Sequence, residues 1–298
     1  MTRRALVTGA TGFVGSHLVA RLVDRGWSVS ALVLPTPDVA RLDSRVRALE
    51  LDGSTSRVIE CVAESSPDVV FHLASLFIAE HVSEQVSPLV EANVLFGAQL
   101  LEGMHVNGCD ALVNTGTSWQ HLGDADYDPV CLYAATKQAF EDIAAFFVNA
   151  HGLRMQTLRL FDTYGPDDPR PKLFSLLRTA ASEGRVLEMS PGEQQIALVH
   201  IDDVVGAFEI AAERTLSSAP GTSEAWAVSG ERMSLREVVA RWEAASGRSV
   251  DVRWGGRQYR VREVMDPWHG RVLEGWSPAV GFDEGVAAME SSLWAGDR

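Results

Sequence analysis

Cysteine is scarce in this sequence, and positive charge is outweighed by negative charge. The three cysteines, Cys61, Cys109 and Cys131, are scattered without metal-type spacing, which favours a reducing, cytoplasmic setting over a disulfide scaffold. The 40 acidic residues exceed the 26 basic ones, and the net charge of −14 argues against a nucleic-acid-binding surface. No apolar run reaches the ~18 residues of a membrane span, and no signal-type segment comes after Met1, so we expect no membrane partner.

A glycine-rich turn near the start predicts a nucleotide-binding unit. Residues 5–7 form a short apolar run, Gly9, Gly12 and Gly15 follow at intervals of three, and residues 14–23 have helical periodicity. Strand, glycine turn and helix in this order bring backbone N–H groups and the positive end of a helix dipole to a pyrophosphate. The spacing is Gly-x-x-Gly-x-x-Gly, which differs from the Gly-x-Gly-x-x-Gly of many dehydrogenases.

Strand and helix patterns then alternate through the first half of the chain. Further strands are predicted at residues 29–34, 46–51, 68–74 and 111–114, with helices near 56–65 and 89–104. This alternation predicts an α/β fold, a Rossmann-like doubly wound parallel sheet with helices on both faces and a smaller α/β C-terminal lobe. Ligands bind at the carboxyl edge of such a sheet, where residues 9–15, 52–53, 74–75 and 115–118 are expected.

Tyr133 and Lys137 stand four residues apart at the start of a predicted helix. Residues at this spacing share a helix face, so the ammonium is expected beside the phenol. A neighbouring cation favours the phenolate and would lower the pKa of Tyr133 toward neutrality.

Several motifs together resemble a known family, the extended short-chain dehydrogenase/reductases, and within it the NAD(P)-dependent epimerase/dehydratase group that acts on nucleotide sugars. The motifs are the glycine turn, Asp52, residues 72–74, Asn93, the Tyr133/Lys137 pair, and residues 159–166, 200–204 and 275–278. The resemblance implies a dinucleotide-binding domain at residues 1–165, to which residues 195–230 return, and a substrate-binding lobe at residues 166–298. It also implies a nucleotide-diphosphate sugar as substrate, and we expect a homodimer.

The resemblance assigns roles to individual residues. Tyr133 exchanges a proton with the substrate oxygen, Lys137 lowers the pKa of the tyrosine and holds the nicotinamide ribose, and a hydroxyl after the fifth strand bonds the reacting oxygen. That hydroxyl is Thr115 or Thr117, and Thr117 is preferred because residues 111–114 already fill a strand. The expected cofactor-binding residues are Gly9, Thr11, Gly12, Phe13, Val14, Gly15, Leu34, Asp52, Gly53, Leu73, Ala74, Ser75, Asn93, Tyr133 and Lys137.

The reaction is predicted from the residues next to the candidate catalytic threonine. Dehydratases of this group place an acidic residue directly after it, whereas this chain has Gly116, Thr117 and Ser118. The segment around them, residues 114–121, is similar to that of ketoreductases related to CDP-abequose synthase. This similarity implies NADPH-dependent reduction of a 4-keto-6-deoxy sugar nucleotide. The alternatives are a nucleotide-sugar 4-epimerase with tightly bound NAD and a non-catalytic dinucleotide-sensing protein.

The cofactor and substrate contacts complete these expectations. No carboxylate stands at the end of the second strand, beside Leu34, and Asp38 comes a few residues later. Arg41 could meet a 2′-phosphate, so the sequence favours NADP(H) over NAD(H).

Arg257, Arg260 and Arg262 are spaced so that alternate side chains could face one side of a strand, and guanidinium groups suit a diphosphate. For His121, a surface position is expected over the alternative of a place in the sugar pocket. No metal site is expected, and residues 173–183 are expected to form a helix after a loop at 167–172. The predicted substrate-binding residues are Ser118, Trp119, Asp162, Arg170, Lys172, Arg257 and Arg262.

Overall fold

The computed structural model describes residues 2–35 and 42–296. The strands are β1 (Arg4–Thr8), β2 (Ser28–Val33), β3 (Arg47–Glu50), β4 (Val69–His72), β5 (Ala111–Thr117), β6 (Arg154–Leu160), β7 (Asp162–Tyr164), β8 (Leu187–Met189), β9 (Gln195–His200), β10 (Ser223–Val228), β11 (Glu231–Ser234) and β12 (Val252–Trp254). The helices are α1 (Phe13–Asp24), α2 (Thr55–Ser65), α3 (Val86–Val90), α4 (Phe96–Val106), α5 (Leu132–His151), α6 (Leu173–Glu183), α7 (Ile201–Ser217), α8 (Leu235–Ser246) and α9 (Phe282–Gly296). A π-helical turn, Glu91–Leu95, joins α3 to α4.

Seven strands form one parallel sheet in the order β10-β6-β5-β4-β1-β2-β3. The chain moves outward from β1 in one direction through β2 and β3, and in the other through β4, β5 and β6. The reversal lies between β1 and β4, and in such sheets this is the point at which a ligand crevice opens. The predicted Rossmann-like fold is confirmed.

The sheet is apolar on both faces, because successive side chains of each strand point to opposite sides. Val7, Phe71 and Val113 belong to one buried cluster, which includes residues of α1 and α7. Their neighbours Leu6, Val70 and Leu112 belong to the other, with residues of α2, α4 and α5. These two layers hold the carboxyl ends of β1, β4 and β5 in fixed positions.

The remaining elements form a second, smaller core. A three-stranded sheet of order β11-β9-β7 and the pair β12-β8 pack with α6, α8 and α9 around Leu177, Trp242 and Val286. Residues 173–183 form the predicted helix α6. The predicted division at residue 165 stays a prediction, and the strand β10 from the second half pairs with β6 in the large sheet.

Two of the C-terminal motifs meet at Asp203. Asp203 accepts hydrogen bonds from the backbone N–H groups of Ala279 (2.9 Å) and Val280 (3.1 Å). The indole of Trp276 donates to the Asp203 carbonyl at 2.8 Å. These motifs therefore fasten the C-terminal segment to α7. In the part of the chain described, no helix has the length and apolar character needed to cross a membrane.

Candidate active site

The glycine turn between β1 and α1 is shaped by close approach of backbone to backbone. Gly9 has φ +69°, and a Cβ there would lie 2.7 Å from the backbone nitrogen of Ala74. A Cβ on Gly15 would collide with the Gly9 carbonyl oxygen. Gly12 is the N-cap of α1 and supplies no side-chain acceptor, and the first turn contains no acidic residue. The first N–H groups of α1, on Phe13, Val14 and Gly15, are thus free of capping side chains, an arrangement that fits a pyrophosphate.

Thr8 joins the ends of β1 and β4. Its hydroxyl is hydrogen-bonded to Nδ1 of His72 at 2.8 Å and accepts from the backbone N–H groups of Leu73 (3.2 Å) and Ala74 (3.1 Å). Burial lowers the pKa of His72 to about 3, so the ring is neutral. His72 therefore has a structural part in the site, holding the loop after β4 against the glycine turn.

Asn93 connects that loop to α5. Its Oδ1 accepts from the Ser75 hydroxyl (3.0 Å) and the Leu76 N–H (2.7 Å). Its Nδ2 donates to the Leu76 carbonyl (3.0 Å) and the Thr136 hydroxyl (2.9 Å). These hydrogen bonds of Asn93 position Ser75 and α5.

Tyr133 lies in the first turn of α5, beside the β4 loop. Burial raises the pKa of its phenol to about 12, and a hydrogen bond with Ser75 opposes this shift. Lys137 is not among the groups that shift it. The predicted lowering of the Tyr133 pKa is therefore wrong, because desolvation outweighs the hydrogen bond with Ser75 and the charge of Arg170, and the tyrosine is protonated at neutral pH.

Lys137 is buried one turn further along α5, with 2% of its surface exposed. Burial lowers its pKa to about 8, and the charge of Glu141 acts in the opposite direction. No hydrogen bond or ion pair joins its ammonium to the described residues, which leaves a buried donor facing the same side of the helix as Tyr133.

The two candidate hydroxyls, Thr115 and Thr117, both lie on β5, which extends three residues beyond the predicted strand. The Thr117 hydroxyl accepts from the Trp119 N–H at 3.3 Å. The Thr115 hydroxyl oxygen is buried and has no hydrogen-bond partner in the described structure. Since both are strand residues, the end of the strand does not separate them, and the choice stays a prediction.

The adenosine end of the predicted cofactor site is only partly described. Leu34, directly after β2, is 63% exposed, and Asp38 and Arg41 lie outside the described residues. Asp52 accepts from the Ser54 N–H at 2.8 Å, and the hydrogen bonds of the Ser54 side chain and backbone lower the pKa of the Asp52 carboxyl. Gly53 beside it has φ +87°. Thr11, in the glycine turn, is partly exposed.

A cleft of about 330 Å³ lies between the carboxyl end of β5 and the smaller core. Its wall includes the predicted residues Ser118, Trp119, Asp162, Arg170 and Lys172. Other lining residues are Phe77, Arg178, Gln194, Arg260 and Glu263. The cleft thus brings together polar groups from both parts of the chain at the edge where Tyr133 lies.

The cations of the cleft differ in how firmly they are paired. Arg170 donates to Asp168 at 2.6 and 2.7 Å, and its guanidinium lies 4.5 Å from the ring centroid of Phe13. Lys172 is 3.8 Å from Asp162, a long contact, and burial lowers its pKa. Arg170 therefore connects the cleft to the glycine turn, and Lys172 is the more available donor.

The predicted arginine strand is wrong, because residues 255–262 form turns and irregular backbone after β12. Arg257 is exposed, and Arg262 is paired with Asp128 outside the cleft lining. Arg260 lines the cleft instead, held by Glu263 at 2.8 Å. Without a strand, alternate side chains do not share a face, so only the middle arginine reaches the site.

The predicted surface position of His121 is also wrong. The ring is 4% exposed and stacks on Trp268 with centroids 4.1 Å apart. Burial lowers its pKa, and the charge of Arg159 adds to this effect. Among the described residues, no group of His, Cys, Asp or Glu side chains has the arrangement of a metal site.

Phe77 is the residue that sequence reasoning missed. It lies in the loop after β4, beyond Ser75, is 49% exposed, and lines the cleft. Its ring centroid lies 5.0 Å from that of Tyr133 and 5.5 Å from that of Trp119. The residues expected at this edge of the sheet ended at Ser75. Phe77 follows two positions later, and its closeness to the end of the predicted strand 68–74 was the available signal.

Comparison with known proteins agrees with this fold. The NAD dependent epimerase/dehydratase family model matches residues 5–223. CDP-abequose synthase of Salmonella typhimurium is 26% identical over 298 residues, which cover 97% of each chain. UDP-glucose 4-epimerase of Mycolicibacterium smegmatis is 27% identical, with 95% of this chain and 96% of that one covered. Among solved structures, MoeE5 in complex with UDP-glucose and NAD has a TM-score of 0.82 at 28% identity, covering 99% of this chain and 100% of that one.

Proposed function

Because the chain belongs to the NAD dependent epimerase/dehydratase family, as the motif resemblance predicted, we propose that it reduces the keto group of a nucleotide 4-keto-6-deoxy sugar. The observation that carries the proposal is the position of Tyr133, which shares a helix face with the buried Lys137 and whose ring lies 5.0 Å from that of the cleft-lining Phe77. The Tyr133 phenol, with its pKa raised to about 12 by burial, is protonated at neutral pH and can donate to a carbonyl oxygen. The similarity to CDP-abequose synthase over nearly the whole chain supports this proposal.

The glycine turn and the loop after β4 would hold the dinucleotide. The N–H groups at the start of α1 would meet the pyrophosphate, and Lys137 would meet the nicotinamide ribose. NADPH, when bound, supplies the hydride. The NAD of the MoeE5 complex supports a dinucleotide here, and the choice of NADPH comes from the uncharged end of β2.

The chain's own groups then move one proton. Tyr133 donates its phenolic hydrogen to the keto oxygen as the carbonyl carbon becomes a C–H centre, giving the hydroxy sugar. Lys137, on the same helix face, would offer its positive charge to the phenolate left behind. Thr117 would donate a hydrogen bond to the same oxygen.

The substrate diphosphate would lie against the cations of the cleft. Lys172 has the weakest existing pairing, with Asp162 at 3.8 Å, and Arg170 presents a guanidinium between the cleft and the glycine turn. Gly116, Thr117 and Ser118, at the end of β5, offer no carboxylate for eliminating water, which speaks against a dehydratase.

The test is a panel of nucleotide 4-keto-6-deoxy sugars with NADPH, monitored by the absorbance of the reduced nicotinamide. Oxidation of NADPH with formation of the hydroxy sugar is expected for at least one substrate. An absence of turnover on all of them would overturn the proposal.

A nucleotide-sugar 4-epimerase is the second candidate. It is supported by the UDP-glucose 4-epimerase relative and by the solved complex that holds UDP-glucose with NAD. An epimerase keeps its dinucleotide through the cycle, so purified protein that carries bound NAD and interconverts epimers without added cofactor would favour it.

A further inference from the structure

The wall of the cleft nearest Tyr133 is aromatic. Phe77 packs against Tyr133 at an interplanar angle of 77° and against Trp119 at 53°. Phe77 and Trp119 both line the cleft, whereas Tyr133 lies beside Phe77. A sugar that presents its carbonyl oxygen to Tyr133 must therefore rest its neighbouring carbons near these two rings.

A cation lies over each of the two rings. Lys172 has its Nζ 5.5 Å from the Phe77 centroid and is paired with Asp162. Arg260 lies 5.0 Å from the Trp119 centroid and is held by Glu263. Since the proposed function assigns Lys172 to the diphosphate and Glu263 holds Arg260, the two rings would offer a sugar mainly aromatic carbon, and the Phe77 ring has no hydrogen-bonding atom.

In a 4-keto-6-deoxy hexose, the carbon next to the carbonyl carries a methyl group at C6. This methyl is the apolar substituent beside the reacting centre, whereas a hexose carries a hydroxymethyl group there and a uronic acid a carboxylate. Against aromatic carbon, the methyl gains contact, but the oxygenated groups lose water without gaining a partner.

We infer that Phe77 and Trp119 form the subsite for the C6 methyl group and select 6-deoxy sugars over sugars oxygenated at C6. This inference rests on the proposed function for the placement of the carbonyl at Tyr133. It names Phe77 as a specificity-determining residue of that site.

The experiment measures binding, which needs no turnover. Calorimetric titrations of the full chain with NADP⁺ present compare CDP-glucose with CDP-6-deoxyglucose, and the UDP and dTDP pairs in the same way. We expect the 6-deoxy sugar to bind roughly 10–100-fold more tightly, the range of discrimination given by apolar contact. Phe77→Ser should reduce the preference to within about threefold, and Phe77→Leu, which keeps an apolar side chain, should retain most of it.

The outcomes separate the two proposals. Equal affinity of wild-type protein for both members of each pair, or an unchanged preference in Phe77→Ser, would overturn the methyl subsite even if reduction occurs. A 6-deoxy preference that Phe77→Ser abolishes, without turnover of any keto sugar, would support the subsite and reject the reduction. Absence of binding by every pair would reject both.

Discussion

Asn93 donates a 2.9 Å hydrogen bond to the hydroxyl of Thr136, which in turn donates to the carbonyl of Tyr133 at 2.7 Å. The π-helical turn that carries Asn93 is thereby joined to the first turn of α5. Since Asn93 also holds Ser75, one buried amide fixes two groups next to the tyrosine.

Asn93→Ala should lower the free energy of unfolding by about 2–4 kcal/mol, because several buried polar groups lose their partner together. Urea unfolding measures the change. Gln99→Ala is the matched control, since the side-chain amide of Gln99 donates two exposed hydrogen bonds of 3.2 Å. This substitution should lower the free energy of unfolding by less than about 1 kcal/mol. Equal effects of the two substitutions would contradict a central role for Asn93.

Tyr133→Phe should lower kcat about 10²–10⁴-fold, because the phenolic proton is lost while the ring packing against Phe77 remains. Dinucleotide affinity, measured by fluorescence titration, should be nearly unchanged. Tyr127→Phe removes a hydroxyl from a tyrosine that is 50% exposed and should leave kcat unaltered. An unchanged kcat of the Tyr133 variant would reject Tyr133 as the proton donor in both enzymatic candidates.

Lys137→Met should stabilise the protein at pH 7 while lowering its activity. The native pKa of Lys137 is about 8 against an ordinary 10.5, so burying its charge costs about 3 kcal/mol below pH 8. Between pH 8 and 10.5 the native lysine loses its proton before the unfolded one, the cost fades, and the advantage of methionine should shrink. Melting temperatures of both proteins across this range test the effect. A variant that is less stable than wild type at pH 7 would show that the ammonium has favourable partners.

The single substitutions Thr115→Val and Thr117→Val show which of the two candidate hydroxyls is catalytic. Thr117→Val should lower kcat about 10²–10³-fold through loss of a donor to the keto oxygen. It should also cost about 0.5–2 kcal/mol of stability, since its bond with the Trp119 N–H is lost. Thr115→Val removes a buried hydroxyl that has no partner among the described residues, so stability should hold or rise and kcat should change little. The reverse pattern of rates would make Thr115 the catalytic hydroxyl.

NADPH should support faster reduction than NADH at equal concentration, because the end of β2 has no carboxylate to repel a 2′-phosphate. Leu34→Asp places one there, at a residue exposed enough to accept the change, and should shift the ratio of kcat/KM toward NADH. A clear preference of the wild type for NADH would show that this choice was wrong.

The large sheet was predictable because its signals are local. Short apolar runs, separated by segments of helical periodicity, correspond to β1, β2, β4 and β5. Because the carboxyl ends of parallel strands meet at one edge of the sheet, the glycine turn was expected near Ala74, where it lies. Motif resemblance then identified the family. These features depend on residues near one another in the chain, or on topology that has few alternatives.

The electrostatics of the site were not predictable in the same way. The sequence shows that Lys137 shares a face with Tyr133, but the pKa of each depends on how much water the folded protein removes, and burial reversed the expected direction for the tyrosine. Likewise, the spacing of Arg257, Arg260 and Arg262 suggested a strand where the chain in fact turns. Of these three arginines, Arg260 is the one that lines the cleft. Such outcomes depend on tertiary contacts that spacing does not encode.

The position of β10 bears on how the protein is synthesised. β6 lies beside β5 on one side, and its other side is completed by residues 223–228, which come after the polypeptide of α6, β8, β9 and α7. A nascent chain that has reached residue 165 therefore presents an open strand edge, to which another chain could pair. We expect a fragment of residues 1–165 to aggregate on expression, whereas one extended through residue 228 gains the strand that closes this edge.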